Sequence, residues 1–297
     1  MKRPRRLFRN RPLTGQHDLR VTSDAGPLQD QVPDISRAID VTKHAIACPF
    51  HRNLEFETQR SLLACELLGM RVDYAKGASA IDVVRNLQAS EALASGLDSL
   101  LFIDGDMRFE PQDVVRFFES SVPVLAGVYA AKILGKRARV NCNFAPEVKK
   151  VKLGEWATEL YPIVSVGAGF LRIKCSVFRH VIEALNLPLC EMGHGHAYPL
   201  FQPTYVQDPP GTPWRYLSED YAFCWRCRQV GIPMMADTSF RLYHIGDYSY
   251  GWEEARGFYL PRERNVELDC CTQEEIDAMA PPPLDLAGPA LKIVEHA

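Results

Sequence analysis

Between Lys43 and Tyr129 short apolar runs alternate with longer segments of helical spacing, and this alternation restricts the fold more than any other feature of the sequence. "HAIAC", "MRVDYA", "SLLFIDGD" and "VPVLAGVY" read as strands. Between them, "LEFETQRSLLACELLG" has helical spacing through Leu62, Leu63, Leu67 and Leu68, and "SAIDVVRNLQASEALASG" opens at Ser79 and closes at Gly96 as a capped helix does. The third, "EPQDVVRFFES", carries Pro111 where a first helical turn tolerates it. Repeated strand–helix–strand units of this length imply an α/β fold: a mainly parallel sheet with helices on both faces. Ligands of such sheets bind beyond the carboxyl ends of the strands. Asp104 and Asp106, on either side of Gly105, fall at one of those ends.

After about residue 137 the pattern changes. "ARVNCNF", "KKVKL" and "PIVSVGAGFLRI" predict antiparallel strands, and "CSVFRHVIEAL" predicts a helix. A long Pro- and Gly-rich stretch follows, from Cys190 to Asp220. Loops of that length in a compact domain are usually functional or disordered. A helix over "SEDYAFCWRCRQVG" then leads to a strand over "PMMADTSFRLYH", and Thr272 with Glu275 has the spacing of a capping box. The expected organisation is a basic lead-in over residues 1–40, one domain over 41–250 and a C-terminal extension over 251–297.

The net charge of −3 conceals an uneven distribution, since "MKRPRRLFRNR" holds six basic residues and no acidic one. Such an arm reads as a solvated tail or as a contact for nucleic acid or another anionic surface. No apolar run reaches the roughly 18–20 residues of a membrane span, and no apolar stretch of a secretory signal follows the basic start. A soluble, cytoplasmic protein is the expectation. Nine cysteines, an odd and scattered set, do not form a disulfide framework. Cys224 and Cys227 make a CxxC within a predicted helix and lack the second pair that a zinc site needs; Cys270 and Cys271 receive no role.

Two carboxylates one residue apart raise each other's pKa, and a hard divalent cation such as Mg2+ or Mn2+ relieves that repulsion. A site with few protein carboxylates leaves coordination positions for phosphate oxygens. The alternative is an Asp-Gly-Asp turn that caps the next helix.

Taken together, the strand–DGD–helix pattern, "AIDVVRN" about twenty residues earlier, "SVGAGFLRIKCSVF", "LSEDYAFCWRCRQVGIP" and "FRLYHIG" resemble, in order and spacing, the DxD-type nucleotide-sugar glycosyltransferases of the GT-A fold. The likeness covers roughly residues 43–250. It implies a Rossmann-like sheet with a smaller antiparallel acceptor-side portion, a nucleoside diphosphate sugar donor, and Mn2+ or Mg2+ as cofactor. It further implies that Asp106 binds the metal, that Asp104 binds it or contacts the ribose or a metal-bound water, and that His244 is a second protein ligand. Asp220 would be the general base of an inverting transfer, with Glu219 holding the acceptor; a retaining transfer, the alternative, would not need this base. Cys48, Pro49, His51, Arg85 and Asn86 would lie on the nucleotide side, with Arg85 on a phosphate or on the Asp104 loop, and Gly167 and Gly169 beside the donor sugar. His194 and His196, with Tyr198, Tyr205 and Trp214, read as an acceptor lid or, alternatively, a separate zinc site. The acceptor is open, modified DNA being one class. A nucleotidyltransferase is a rival, weakened because "ACPFHRNLEF" lacks a glycine-rich phosphate loop. A nucleotide-sugar-binding protein without turnover is another.

Overall fold

A computed structural model of the chain describes residues 39–77, 80–132, 140–154, 157, 159–193, 195–246, 248–253 and 265–269. The basic arm, Ser79, His194, Cys270, Cys271 and the Thr272 capping box lie outside the described residues.

An eight-stranded mixed sheet forms the centre of the molecule. Its strands are β1 (His44–Phe50), β2 (Arg71–Lys76), β3 (Ser99–Ile103), β5 (Val124–Gly127), β6 (Cys142–Phe144), β8 (Tyr161–Val166), β9 (Phe170–Lys174) and β14 (Met234–Asp237), in the order β2-β1-β3-β9-β5-β14-β8-β6. β2, β1 and β3 are parallel, and β14 is parallel to β5. β9 is antiparallel to both β3 and β5, β8 to β14, and β6 to β8. Only β9 and β8 therefore run against the common direction, and the sheet is mainly parallel in orientation.

Helices cover both faces because the inner strands are apolar on both. α1 (Phe56–Leu67) and α3 (Pro111–Glu119) enclose one core with Ile46, Leu101, Ile103, Leu125 and Phe170. α2 (Ile81–Ala94), α4 (Cys175–Ala184) and α5 (Glu219–Gln229) enclose the other, with Phe102, Leu171, Phe201 and Phe223. The smaller sheets are antiparallel: a three-stranded one in which β15 (Tyr243–Ile245) lies between β4 (Met107–Arg108) and β16 (Ser249–Tyr250), and three pairs, β10 (Cys190–Met192) with β11 (Gly195–Ala197), β12 (Thr204–Val206) with β13 (Arg215–Leu217), and β7 (Lys150–Gly154) with β17 (Asn265–Asp269).

Three expectations are corrected. "PIVSVGAGFLRI" is two strands broken at Gly167–Gly169, and its second half, β9, enters the main sheet between β3 and β5. "PMMADTSFRLYH" likewise divides into β14 and β15, because Asp237 turns the chain by accepting from the backbone N–H and the hydroxyl of Ser239. On α1 the buried face is Thr58, Ser61, Leu62 and Cys65, whereas Leu63 and Leu67 are exposed. A small polar face suffices there because Ser61 donates its hydroxyl to the Phe109 carbonyl at 2.7 Å.

Buried Arg172 ties two layers together. From β9 its Nε donates to the Phe117 carbonyl and its Nη2 to that of Ser120, both at 3.1 Å, satisfying acceptors at the C-terminal end of α3.

Candidate functional site

A cleft of about 430 Å³ opens at the carboxyl ends of β1 and β3. Pro49 and His51 line it from the end of β1, Arg85 from α2, Asp104 and Asp106 from the end of β3, and Glu219 from the first turn of α5. All six were singled out in the sequence.

Gly105 sits in a turn closed by the Met107 N–H on the Asp104 carbonyl at 3.3 Å, and its missing side chain serves a second purpose. A Cβ there would stand 2.8 Å from the Phe50 Cβ, so the residue is small to let the Asp104–Asp106 loop lie against the end of β1. Its carbonyl accepts from the Glu55 N–H at 2.9 Å. These contacts aim the two carboxylates along the mouth of the sheet.

β4 brings His244 to the pair. This two-residue strand follows directly after Asp106 and pairs antiparallel with β15, placing His244 opposite Met107. The Ile245 N–H donates to the Asp106 carbonyl at 2.7 Å and locks the register. His244 Nδ1 donates to the Ala130 carbonyl at 3.2 Å, which leaves Nε2 3.5 Å from Asp106 Oδ2. A backbone partner on one ring nitrogen is the arrangement that orients the other toward a metal.

Lys132, missed in the sequence, is the second partner of that oxygen. Its Nζ lies 2.6 Å from Asp106 Oδ2, and its side chain packs past Gly246. Burial opposes the charge of Asp106, but the neighbouring His244 and Lys132 prevail and hold its carboxyl below the ordinary range. Asp106 Oδ1 is buried and has no partner among the described residues.

Asp104 faces the opposite balance. Burial pushes its carboxyl up, Arg85 opposes this, and the Asp106 charge reinforces it. Arg85, only 3% exposed, donates from Nη2 to Asp104 Oδ1 at 2.8 Å, while its Nε stands 3.8 Å from Glu219 Oε1. Nε and Nη1 of this guanidinium are buried without a hydrogen-bond partner. A buried cation with two spare donors, on the wall of a cleft that also holds an orphan carboxylate oxygen, is suited to an anion and a cation bound together.

Gly167 and Gly169 lie among the site carboxylates. A Cβ on Gly169 would collide with the Tyr129 hydroxyl and come within 3.1 Å of Asp104 Oδ2. On Gly167 it would meet that hydroxyl at 3.3 Å and Asp220 Oδ2 at 3.6 Å. Tyr129 was also missed in the sequence: its hydroxyl accepts from the Gly169 N–H at 3.2 Å, and its ring packs edge-on against His244. Asn141 secures it, accepting from the Tyr129 N–H and donating to the Gly127 carbonyl, both at 3.0 Å.

Of the acidic pair on α5, Glu219 lines the cleft, and burial followed by the Asp220 charge raises its pKa. Asp220 Oδ1 accepts from the Ser218 hydroxyl and from the Tyr221 N–H at 2.8 Å.

Cys48 and Asn86 are placed elsewhere. Cys48 is fully buried in the core, where burial and then the Asp104 and Asp106 charges raise its thiol far above the ordinary range. Asn86 is buried too, and its Oδ1 accepts from the Phe201 N–H at 2.7 Å. Of the expected lid, Tyr198 packs against the core and donates its N–H to the Ser90 hydroxyl oxygen at 3.0 Å, and His196 belongs to the β10–β11 hairpin. Tyr205 and Trp214 do come together, 5.3 Å apart. Cys224 and Cys227 are free and buried.

Among the described residues, no group of three or more His, Cys, Asp or Glu side chains is gathered as a metal site. Asp106 and His244 nevertheless fit a partial site completed by a ligand's oxygens, since one orphan carboxylate oxygen and one backbone-anchored imidazole are present. Among the same residues no helix is long and apolar enough to cross a membrane.

No protein-family model matches the chain, and no curated protein matches it. Solved structures with some likeness include A197 from STIV, 15% identical with a TM-score of 0.43, covering 74% of this chain and 97% of that one. A glycosyltransferase involved in glycosylation of the major capsid of PBCV-1 is 14% identical with a TM-score of 0.25, covering 48% of this chain and 66% of that one. A putative glucose-1-phosphate thymidylyltransferase from Bacillus anthracis is 12% identical with a TM-score of 0.33, covering 74% and 98%. Likenesses of this depth assign no function.

Proposed function

We propose that the chain transfers a sugar from a nucleoside diphosphate donor to an acceptor hydroxyl, with Mn2+ or Mg2+ held by Asp106 and His244. The observation that carries this reading is the pairing, on one cleft, of Arg85 with two buried donors that lack a hydrogen-bond acceptor and Asp106 with a buried oxygen that lacks a hydrogen-bond donor. A diphosphate with its divalent cation would satisfy both at once, Arg85 donating to the anion and Asp106 holding the cation. When bound, the metal supplies Lewis-acid stabilisation of the departing diphosphate.

The protein's own residues would perform the rest. Arg85 holds Asp104 in place and offers its spare N–H groups to phosphate. Asp104, kept by Arg85 at the cleft wall, is positioned to accept from a ribose hydroxyl or a metal-bound water. Pro49 and His51 would border the base. Glu219 supports a general-base role better than Asp220, the residue favoured by the resemblance. It lies on the cleft, and a carboxyl whose pKa is raised is the stronger proton acceptor. Asp220, engaged through Ser218 and Tyr221 and packed toward Gly167, would brace the sugar-side turn.

The test is a panel of nucleoside diphosphate sugars incubated with purified protein and Mn2+ or Mg2+, with products followed by mass spectrometry. Release or transfer of sugar from one donor, abolished in Asp106→Ala, is expected. Inertness toward the whole panel would contradict the reading.

A further inference from the structure

The β12–β13 ribbon is amphipathic in an unusual sense: its inward face is aliphatic and its outward face is aromatic. Tyr205 and Tyr216 are cross-strand partners and therefore share one face, and Trp214, just before β13, joins them there through its ring contact with Tyr205. The three are 69%, 74% and 63% exposed, and the Tyr205 and Trp214 rings meet edge-on. On the other face Val206 and Leu217 are buried against Ala222 of α5. Arg228, in the last turn of α5, grips Asp208 beyond β12 at 2.5 Å. The aromatic face is thus fixed to the helix whose first turn carries Glu219 and Asp220, and Leu217 and Ser218 alone separate it from them in the chain.

We infer that this face is a binding surface for a neutral carbohydrate acceptor. An exposed trio of large rings leaves much apolar area in water, and such patches mark interaction sites. Ring faces pack against the C–H faces of pyranoses while the tyrosine hydroxyls meet sugar hydroxyls. Charge selects among occupants. From Thr204 to Asp220 the sequence holds one basic residue, Arg215, against three acids, of which Asp208 is already paired with Arg228. A polyphosphate chain such as DNA requires a cationic track beside its stacking rings, and none is present in this segment. The inference rests on the transferase reading only for what happens next: a glycan held here would present a hydroxyl toward α5.

The experiment is a microarray of neutral oligosaccharides probed with full-length labelled protein in EDTA and without donor, so that binding is read independently of metal and turnover. Wild type is expected to bind a subset of glycans. Tyr205→Ala/Tyr216→Ala and Trp214→Ala should each lose at least about tenfold in affinity, with melting temperatures unchanged. Tyr205→Phe/Tyr216→Phe, which keeps the rings, should retain most of the binding. Absence of glycan binding, or equal binding by the alanine variants, would overturn the inference. So would preferential binding of DNA oligonucleotides, or self-association that disappears in the double alanine variant. Glycan binding that persists while Mn2+ and nucleoside diphosphates fail to bind would sustain this surface and overturn the transferase reading instead.

Discussion

Lys132 and Asp106 form a short ion pair, Nζ to Oδ2 at 2.6 Å, on the same oxygen that faces His244. The ammonium thus engages a carboxylate that a divalent cation would also claim. Removing it should free the carboxylate: Lys132→Ala is expected to bind Mn2+ about tenfold or more tightly in the absence of nucleotide, the scale of a lost charge-assisted hydrogen bond. Titration monitored by the Mn2+ electron paramagnetic resonance signal checks this. Unchanged or weaker affinity would remove Lys132 from the role of competitor.

Gly169 and Tyr129 form a second testable couple. Gly169→Ala drives a methyl into the Tyr129 hydroxyl and toward Asp104, and should cost about 1–3 kcal/mol of stability together with activity. Tyr129→Phe alone loses one hydrogen bond, about 1 kcal/mol. The double variant should be less destabilised than the sum, because the clash with the oxygen is gone and only the ring carbon, 2.9 Å from the methyl, must still shift. Urea unfolding of the four proteins measures the coupling, and simple additivity would refute the packing argument.

Glu219 and Asp220 separate by pH profile. Glu219→Gln should lower kcat by about a hundredfold or more and abolish the acidic limb of the rate profile. Asp220→Asn should lower kcat less and leave that limb in place. The reverse pattern would return the base role to Asp220.

Asp113 gives a prediction about stability alone. Burial pushes its carboxyl from 3.8 up to about 6, with Arg116 3.8 Å away opposing the shift. The fold therefore favours the neutral acid. This contribution is full below pH 3.8 and is lost as pH rises through about 6. At about 1.4 kcal/mol per unit the loss is at most about 3 kcal/mol. Asp113→Asn should flatten stability across that window and be more stable than wild type at pH 7, as judged by denaturant midpoints at several pH values.

The sequence made the mouth of the sheet readable because it is built from local signals. "SLLFIDGD" announces a strand end with two acids, and "SED" announces a helix start, so Asp104, Asp106 and Glu219 could be located without knowing how strands pair. Lys132 and Tyr129 carried no such signal. Their roles arise from β9 inserting between β3 and β5 and from β15 pairing with β4, which are long-range events that local pattern does not encode. Cys48 lies in the core for a related reason: adjacency to a cleft residue is no guide to direction, since successive side chains in a strand point to opposite faces. The exposed Leu63 and Leu67 show the same limit on a helix, where spacing gave a stripe but Ser61 and Thr58 took the buried side.

The central claim is that a nucleoside diphosphate is held by Arg85 through its oxygens and by Asp106 through a divalent cation. Calorimetric titration of the common nucleoside diphosphates into wild type and Asp106→Ala, with Mn2+ and with EDTA, tests it most directly. The account predicts that one nucleotide binds wild type about a hundredfold more tightly with Mn2+, a difference of about 2.7 kcal/mol, and that Asp106→Ala loses this gain. Equal affinity in EDTA, or an undiminished metal effect in Asp106→Ala, would contradict it.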